Sequence, residues 1–142
     1  MNFNKTKIFR WIKIIIIIYS LSGIALYYLQ DYILFHPKKL DSHYSYQFNK
    51  PFAEINIPIN NIDTVNMVKF FPQDSVRHGV VLYFHGNMKN VESYAPYADN
   101  FTKNGYEVWM EDYPGYGKTT GERTEIKLYD EAMQVQKMAA AH

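Results

Sequence analysis

The chain has 142 residues, room for a single domain, and a net charge of +1 that is unevenly shared. Residues 1–30 hold four basic side chains and no acid, while the remainder holds 11 basic and 14 acidic ones, a balance of −3. That mildly acidic body offers no basic face for nucleic acid, and the lack of cysteine excludes disulfides, a thiol nucleophile and cysteine-ligated zinc.

Residues 11–29 read WIKIIIIIYSLSGIALYYL, with Lys13 the sole charge and five isoleucines in a row. From Ile14 to the end of this run there are 16 uncharged residues, somewhat short of the roughly 20 that cross a bilayer core. Lys13 can snorkel to the headgroups, and Tyr27 and Tyr28 suit the far interface. A core helix of a soluble domain would show a polar face, which is missing here. A cleaved signal peptide would place small residues at the end of the run, whereas Ser20, Ser22, Gly23 and Ala25 lie inside it. The expectation is an uncleaved anchor, with the cleaved signal and the soluble helix as alternatives. The basic flank keeps the N-terminus cytoplasmic and sends the body across the membrane; Lys38 and Lys39 beyond the run count against that orientation. The expected organisation is a cytoplasmic tail (1–10), an anchor (11–29), a linker (30–51) and a folded part (52–142).

In the folded part, residues 53–58 and 63–71 alternate apolar and polar side chains, as half-buried strands do. Between them 59–62 suits a hairpin turn, asparagine tolerating the left-handed conformation. Residues 79–84, GVVLYF, form a continuous apolar run, expected of a strand covered on both faces. Apolar residues at Val91, Tyr94, Ala95, Ala98 and Phe101 predict an amphipathic helix over 91–104, with Gly105 as its cap. Residues 106–111 read as another strand, and 112–121 as a long loop. From Thr124, a candidate N-cap, a second helix carries Ile126, Tyr129, Met133, Gln136/Lys137 and Ala140 at helical spacing. Two antiparallel strands followed by strand–helix–strand–helix give an α/β class with a right-handed parallel crossover.

LYFHGN, a helix, then GYEVWMEDYPGYGKTTGE resembles the α/β-hydrolase family, in particular its single-pass, membrane-anchored serine hydrolases. The likeness spans residues 52–142, the N-terminal half of that domain. It implies an oxyanion-hole loop after the third strand, whose first backbone N–H donor is Asn87 with Met88 its neighbour, and a second donor just past the nucleophile. Such a donor is worth roughly 3–4 kcal/mol to the transition state. Gly86 lets main chain approach substrate bare of a side chain. The resemblance gives His85 the task of bracing the loop; as a catalytic base it would precede the nucleophile, against the family's chain order. Asp112 is expected to tie down its own turn, and Gly115 and Gly117 to shape it. His36, His43, His78 and His142 read as surface or linker residues.

No residue of the 142 reads as catalytic. A G-x-S-x-G elbow belongs after the fifth strand, and none of Ser20, Ser22, Ser42, Ser45, Ser75 and Ser93 lies in one. The sequence thus reads as a truncated hydrolase, in complete form attacking an ester, thioester or amide in a small-molecule or peptide acyl substrate, without cofactor. The rival reading is a non-catalytic, membrane-tethered module. Residues 112–119, DYPGYGKT, also come one residue from a phosphate-binding G-x-x-x-x-G-K-[ST], but Asp112 puts a negative charge where phosphate would lie.

Overall fold

The isoleucine run lies within helix α1 (Lys5–Leu34), none of whose side chains is buried. At about 1.5 Å per residue its 30 residues span roughly 45 Å, more than a bilayer core. The helix is long and apolar enough to cross a membrane, a property that signal sequences and core helices share. It continues through Leu34, five positions past the expected end of the anchor. The structure, a computed structural model, describes residues 5–73 and 77–142. The start of the expected tail (1–4) and Ser75 lie outside the described residues. The chain divides into two units, the second of which is Pro37–His142.

In that unit four strands form one sheet: β1 (Phe52–Pro58), β2 (Thr64–Phe70), β3 (Gly79–Phe84) and β4 (Tyr106–Glu111), in the order β1-β2-β4-β3. β1 and β2 are an antiparallel hairpin, β2 and β4 are antiparallel, and β3 and β4 are parallel, pairing Gly79 with Tyr106 and Phe84 with Glu111. The hairpin turn closes without a left-handed asparagine. Asn60 Oδ1 instead accepts from the N–H groups of Ile62 and Asp63, each at 2.7 Å, and Ile59 N–H bonds the Asp63 carbonyl. A side-chain oxygen here does the work that an unusual φ would have done.

Alternation along the strands divides the core in two. On one face Val68, Phe70, Val108 and Met110 pack against Val91, Ala95 and Ala98 of the crossover. That crossover is not one continuous helix but α2 (Val91–Tyr94), a 3₁₀ turn (Ala95–Ala98) and α3 (Asp99–Thr102), because Pro96 sits at the start of the turn and supplies no N–H. Gly105, at φ 82°, ends it as expected. Tyr46, Leu40 and Phe48 join the same cluster, so the folded unit begins well before Phe52. Of the stretch read as a linker, residues 30–34 are therefore helix and 37–51 belong to the folded unit, with Leu40, Tyr46 and Phe48 driven inward by the hydrophobic effect.

The other face packs Val65, Met67 and Trp109 against helix α4 (Glu125–Ala140) through Val135, Met138 and Ala139. Thr124 caps α4, its hydroxyl accepting from Lys127 N–H. The buried stripe is not the expected one: Ile126 is 73% and Tyr129 67% exposed, while Glu131 and Val135 are buried. Against β4, α4 runs antiparallel, with Val135 over Trp109 and His142 Nε2 3.2 Å from Glu107. β3, expected to be covered on both faces, is only half-buried, with Phe84 46% exposed, because it forms the outer edge of the described sheet.

Candidate active site

β3 and β4 are parallel neighbours, so the loops that leave their C-terminal ends, 85–90 and 112–121, emerge side by side. His85 is buried and enclosed by aromatic rings, with centroids of Tyr113, Tyr94 and Tyr116 at 4.4, 5.2 and 5.3 Å. Its Nδ1 lies 2.7 Å from the Gly86 carbonyl, which can only accept, so Nδ1 carries a proton. Its Nε2 is 3.2 Å from Asp112 Oδ1, within ion-pair range, although the angle falls short of a hydrogen bond.

The second loop holds the first by its main chain. Tyr113 Oη donates to the His85 carbonyl and Tyr116 Oη to the Asn87 carbonyl, both at 2.7 Å. Burial raises both phenols above the ordinary tyrosine range, so they act as neutral O–H donors. In a planar trans peptide the N–H points away from the preceding C=O. Three pinned carbonyls, those of His85, Gly86 and Asn87, therefore fix the directions of three successive N–H groups, those of Gly86, Asn87 and Met88. Tyr116→Phe is expected to lower stability by about 1 kcal/mol, read by urea denaturation, and to shift the Met88 amide resonance. An unmoved Met88 amide would argue that Tyr116 does not orient that peptide.

Asp112 is fully buried and works across the fold rather than within its own turn. Its Oδ1 accepts from Val91 N–H at 2.8 Å, the first helical amide of the crossover, where negative charge is favoured. Its Oδ2 accepts from Tyr46 Oη at 3.3 Å. Gly115 (φ 84°) and Gly117 (φ 46°) turn the loop around this carboxylate, and a Cβ on Gly117 would meet Asp112 Oδ2 at 1.9 Å. At Gly86 a Cβ would meet Tyr94 Oη at 2.9 Å, so the Tyr94 side chain would have to shift to admit one. Asn87 and Met88 are exposed at the tip of the turn.

Lys89 holds φ 67° without being glycine. Lys89→Gly is expected to stabilise the fold by about 0.5–1 kcal/mol by removing the left-handed strain. An unchanged or lower urea midpoint would contradict this.

Most amides of 112–119 are already engaged and do not cradle phosphate. Gly115, Tyr116, Gly117 and Thr119 N–H groups each bond a carbonyl, and the next helix starts only at Glu125. Among the described residues no group of three or more metal-ligating side chains gathers.

Residues 75–138, a little under half of the chain, match the family described as serine aminopeptidase, S33. A thermostable carboxyl esterase from Bacillus coagulans superposes with TM-score 0.50 at 20% identity, covering 61% of this chain and 31% of the esterase. The fold is α/β-hydrolase-like. A probable hydrolytic enzyme from Pseudomonas aeruginosa PAO1 (TM-score 0.48, 13% identity) covers 72% of this chain and 34% of its own. For a CIB-like hydrolase from Thermoplasma acidophilum (TM-score 0.45, 24% identity) the shares are 64% and 46%. The chain thus spans less than half the length of each of these structures.

The expected residues His85, Gly86, Asn87, Met88, Asp112, Gly115 and Gly117 all fall in these two adjoining loops. Sequence reasoning passed over Tyr46, Tyr94, Tyr113 and Tyr116, whose hydroxyls and rings hold the site together. The two tyrosines flanking Pro114-Gly115 were the available signal.

Proposed function

We propose that the 85–88 turn is one side of an oxyanion hole, and that this chain supplies that side of a serine hydrolase acting on an ester, thioester or amide carbonyl. Asn87 N–H is the donor and Met88 N–H its neighbour, with His85, Gly86, Asp112, Gly115 and Gly117 shaping the loop. The observation that carries this reading is the pinning of the three carbonyls of His85, Gly86 and Asn87. Donors aimed in advance cost no reorganisation when charge develops on the carbonyl oxygen, which is why such sites accelerate acyl transfer. The second donor, the nucleophile and its base are the parts of that chemistry that the 142 residues do not supply. The reaction calls for no metal or cofactor, and its substrate would be a small-molecule or peptide acyl compound.

In this reading α1 is a single-pass anchor with a cytoplasmic N-terminus, supported by its length, its apolar character and the basic residues before Ile14. A non-catalytic tethered module is the second reading, in which the 85–88 turn meets no nucleophile. Sequencing the coding DNA beyond codon 142 and treating the encoded product with a fluorophosphonate separates the two. The hydrolase reading expects a strand and a G-x-S-x-G within about 30 residues, since short connections are usual in this fold class, and covalent labelling at that serine. The 142-residue chain itself should stay unlabelled. Labelling of the short chain, or a downstream sequence without a nucleophile, would defeat that reading.

A further inference from the structure

Residues 38–40 lie between the two loops of the candidate site and are bonded to both. Lys38 N–H donates to the Lys89 carbonyl at 2.9 Å. The Lys38 carbonyl accepts from Gly117 N–H at 3.0 Å and from Asn90 Nδ2 at 3.2 Å. Leu40 N–H then reaches the Gly117 carbonyl at 2.8 Å. These bonds are mostly main-chain, and so leave little trace in the sequence. Side chains add Lys38 Nζ on Glu92 at 2.8 Å, Tyr44 Oη on the same carboxylate, and Lys118 Nζ on the Tyr44 carbonyl at 2.5 Å.

Asn90 supplies an independent observation. It stands at the N-cap of the crossover, where an asparagine side chain ordinarily accepts from the first helical amides. Here it makes no such bond. Asp112 takes the Val91 amide instead, and the fully buried Asn90 carboxamide turns to the Lys38 carbonyl. The residue that follows the strained Lys89 is thus committed to holding the 38–40 segment.

We infer that residues 38–40 form a strap that positions the 85–90 loop, so that the segment just beyond the apolar helix is a working part of the site and not a passive tether. The strap touches no reacting atom; it holds the Lys89 and Asn90 end of the turn whose Gly86 and Asn87 carbonyls orient the Asn87 and Met88 amides. Its catalytic consequence rests on the oxyanion-hole reading. The positioning itself does not, and the test below reads only the positioning.

Backbone order parameters of the whole chain in detergent micelles provide the test. Lys38→Pro removes the N–H that bonds Lys89 while keeping the carbonyl. It should drop the order parameters of residues 87–90 from about 0.85 to below about 0.6, with β2 and β4 unchanged. Lys38→Ala, which keeps both main-chain groups and loses only the Glu92 pair, should leave 87–90 as rigid as before. A rigid loop in Lys38→Pro, or equal loosening in Lys38→Ala, would overturn the inference. Should Lys38→Pro not fold, hydrogen exchange in the unaltered chain decides. The Lys38, Leu40 and Gly117 amides should open together, within about threefold of one another, as one cooperative unit. Exchange at Lys38 and Leu40 about a hundredfold faster than at Gly117 would show a detached strap and overturn it equally.

Discussion

Gly117→Ala is expected to cost on the order of 3–5 kcal/mol. The new Cβ would lie 1.9 Å from Asp112 Oδ2 and 3.3 Å from Asp112 Cβ, in a backbone at φ 46° that disfavours alanine. Asp112 has nowhere to go. Its two oxygens hold Val91 N–H and Tyr46 Oη, and the His85 ring closes the remaining side. Moving the carboxylate would strand a buried charge and release the start of the crossover together. Urea denaturation followed by Trp109 emission, with Trp11 replaced by phenylalanine, measures the loss. In Asp112→Ala the same glycine replacement should cost far less, since the clash is gone, giving a non-additivity of 2 kcal/mol or more, about the upper range for contacting residues. Simple additivity would show that the two positions do not oppose one another as described.

The second large effect is on pH. Two of the buried carboxyls between β4 and α4 are Glu111 and Glu131, and Glu111 Oε2 has no hydrogen-bond partner among the described residues. Burial first, then the charges of Glu131 and Asp112, push the Glu111 carboxyl up to about 7. Glu131 is pushed up to about 7 as well, by burial, with Asp63 and Asp130 adding and Lys127 opposing. Glu107, buried on the same strand face, differs in being paired: Trp109 Nε1, His142 Nε2 and Arg77 Nη1 lie at 2.6, 3.2 and 3.4 Å.

For both raised carboxyls the folded state holds its proton more tightly than the unfolded state. Their contribution is therefore complete below pH ~4.5 and is lost as pH rises through ~7. A rise from 4.5 to about 7 is worth on the order of 3 kcal/mol per group, and less than twice that for the pair, because part of the shift at Glu111 is the charge of Glu131. Asp63 and Glu92, held below the usual range by hydrogen bonds to Asn60 and Lys38 respectively, bend the profile the other way at more acidic pH. Unfolding free energy should fall between pH 5 and about 8, and Glu111→Gln should flatten that fall and stabilise the protein at the alkaline end. A profile unchanged by Glu111→Gln and by Glu131→Gln alike would contradict the account.

The strands and their order along the chain were legible because period and apolar run length are local properties. β3 and β4 begin and end where GVVLYF and YEVWME do. Three things were not legible, each for a physical reason. The buried face of α4 carries Glu131, which sits opposite Glu111; a count of apolar residues selects the Ile126–Tyr129–Met133 stripe that solvent touches instead. Asp112 looked like a local turn residue, yet its partners Val91 and Tyr46 are 21 and 66 positions away. Residues 37–51 looked like a tether because their bonds to the site run through main chain and tyrosine hydroxyls, which hydropathy does not register. In the site itself, the His-Gly-Asn and Asp-Tyr-Pro-Gly-Tyr-Gly motifs located the loops. Their geometry became visible only once Tyr113 and Tyr116 were seen on the His85 and Asn87 carbonyls.

The most direct measurement is an amide titration of the chain with a monoanionic alkyl phosphonate, a stable mimic of a tetrahedral oxyanion, followed by ¹H–¹⁵N correlation spectra. Saturable downfield shifts are expected at the Asn87 and Met88 amides, persisting in Lys89→Gly, where the neighbouring cation is gone, and weakened in Tyr116→Phe. Shifts confined to lysine-rich surface segments, or lost entirely in Lys89→Gly, would mean that these amides do not form an anion cradle.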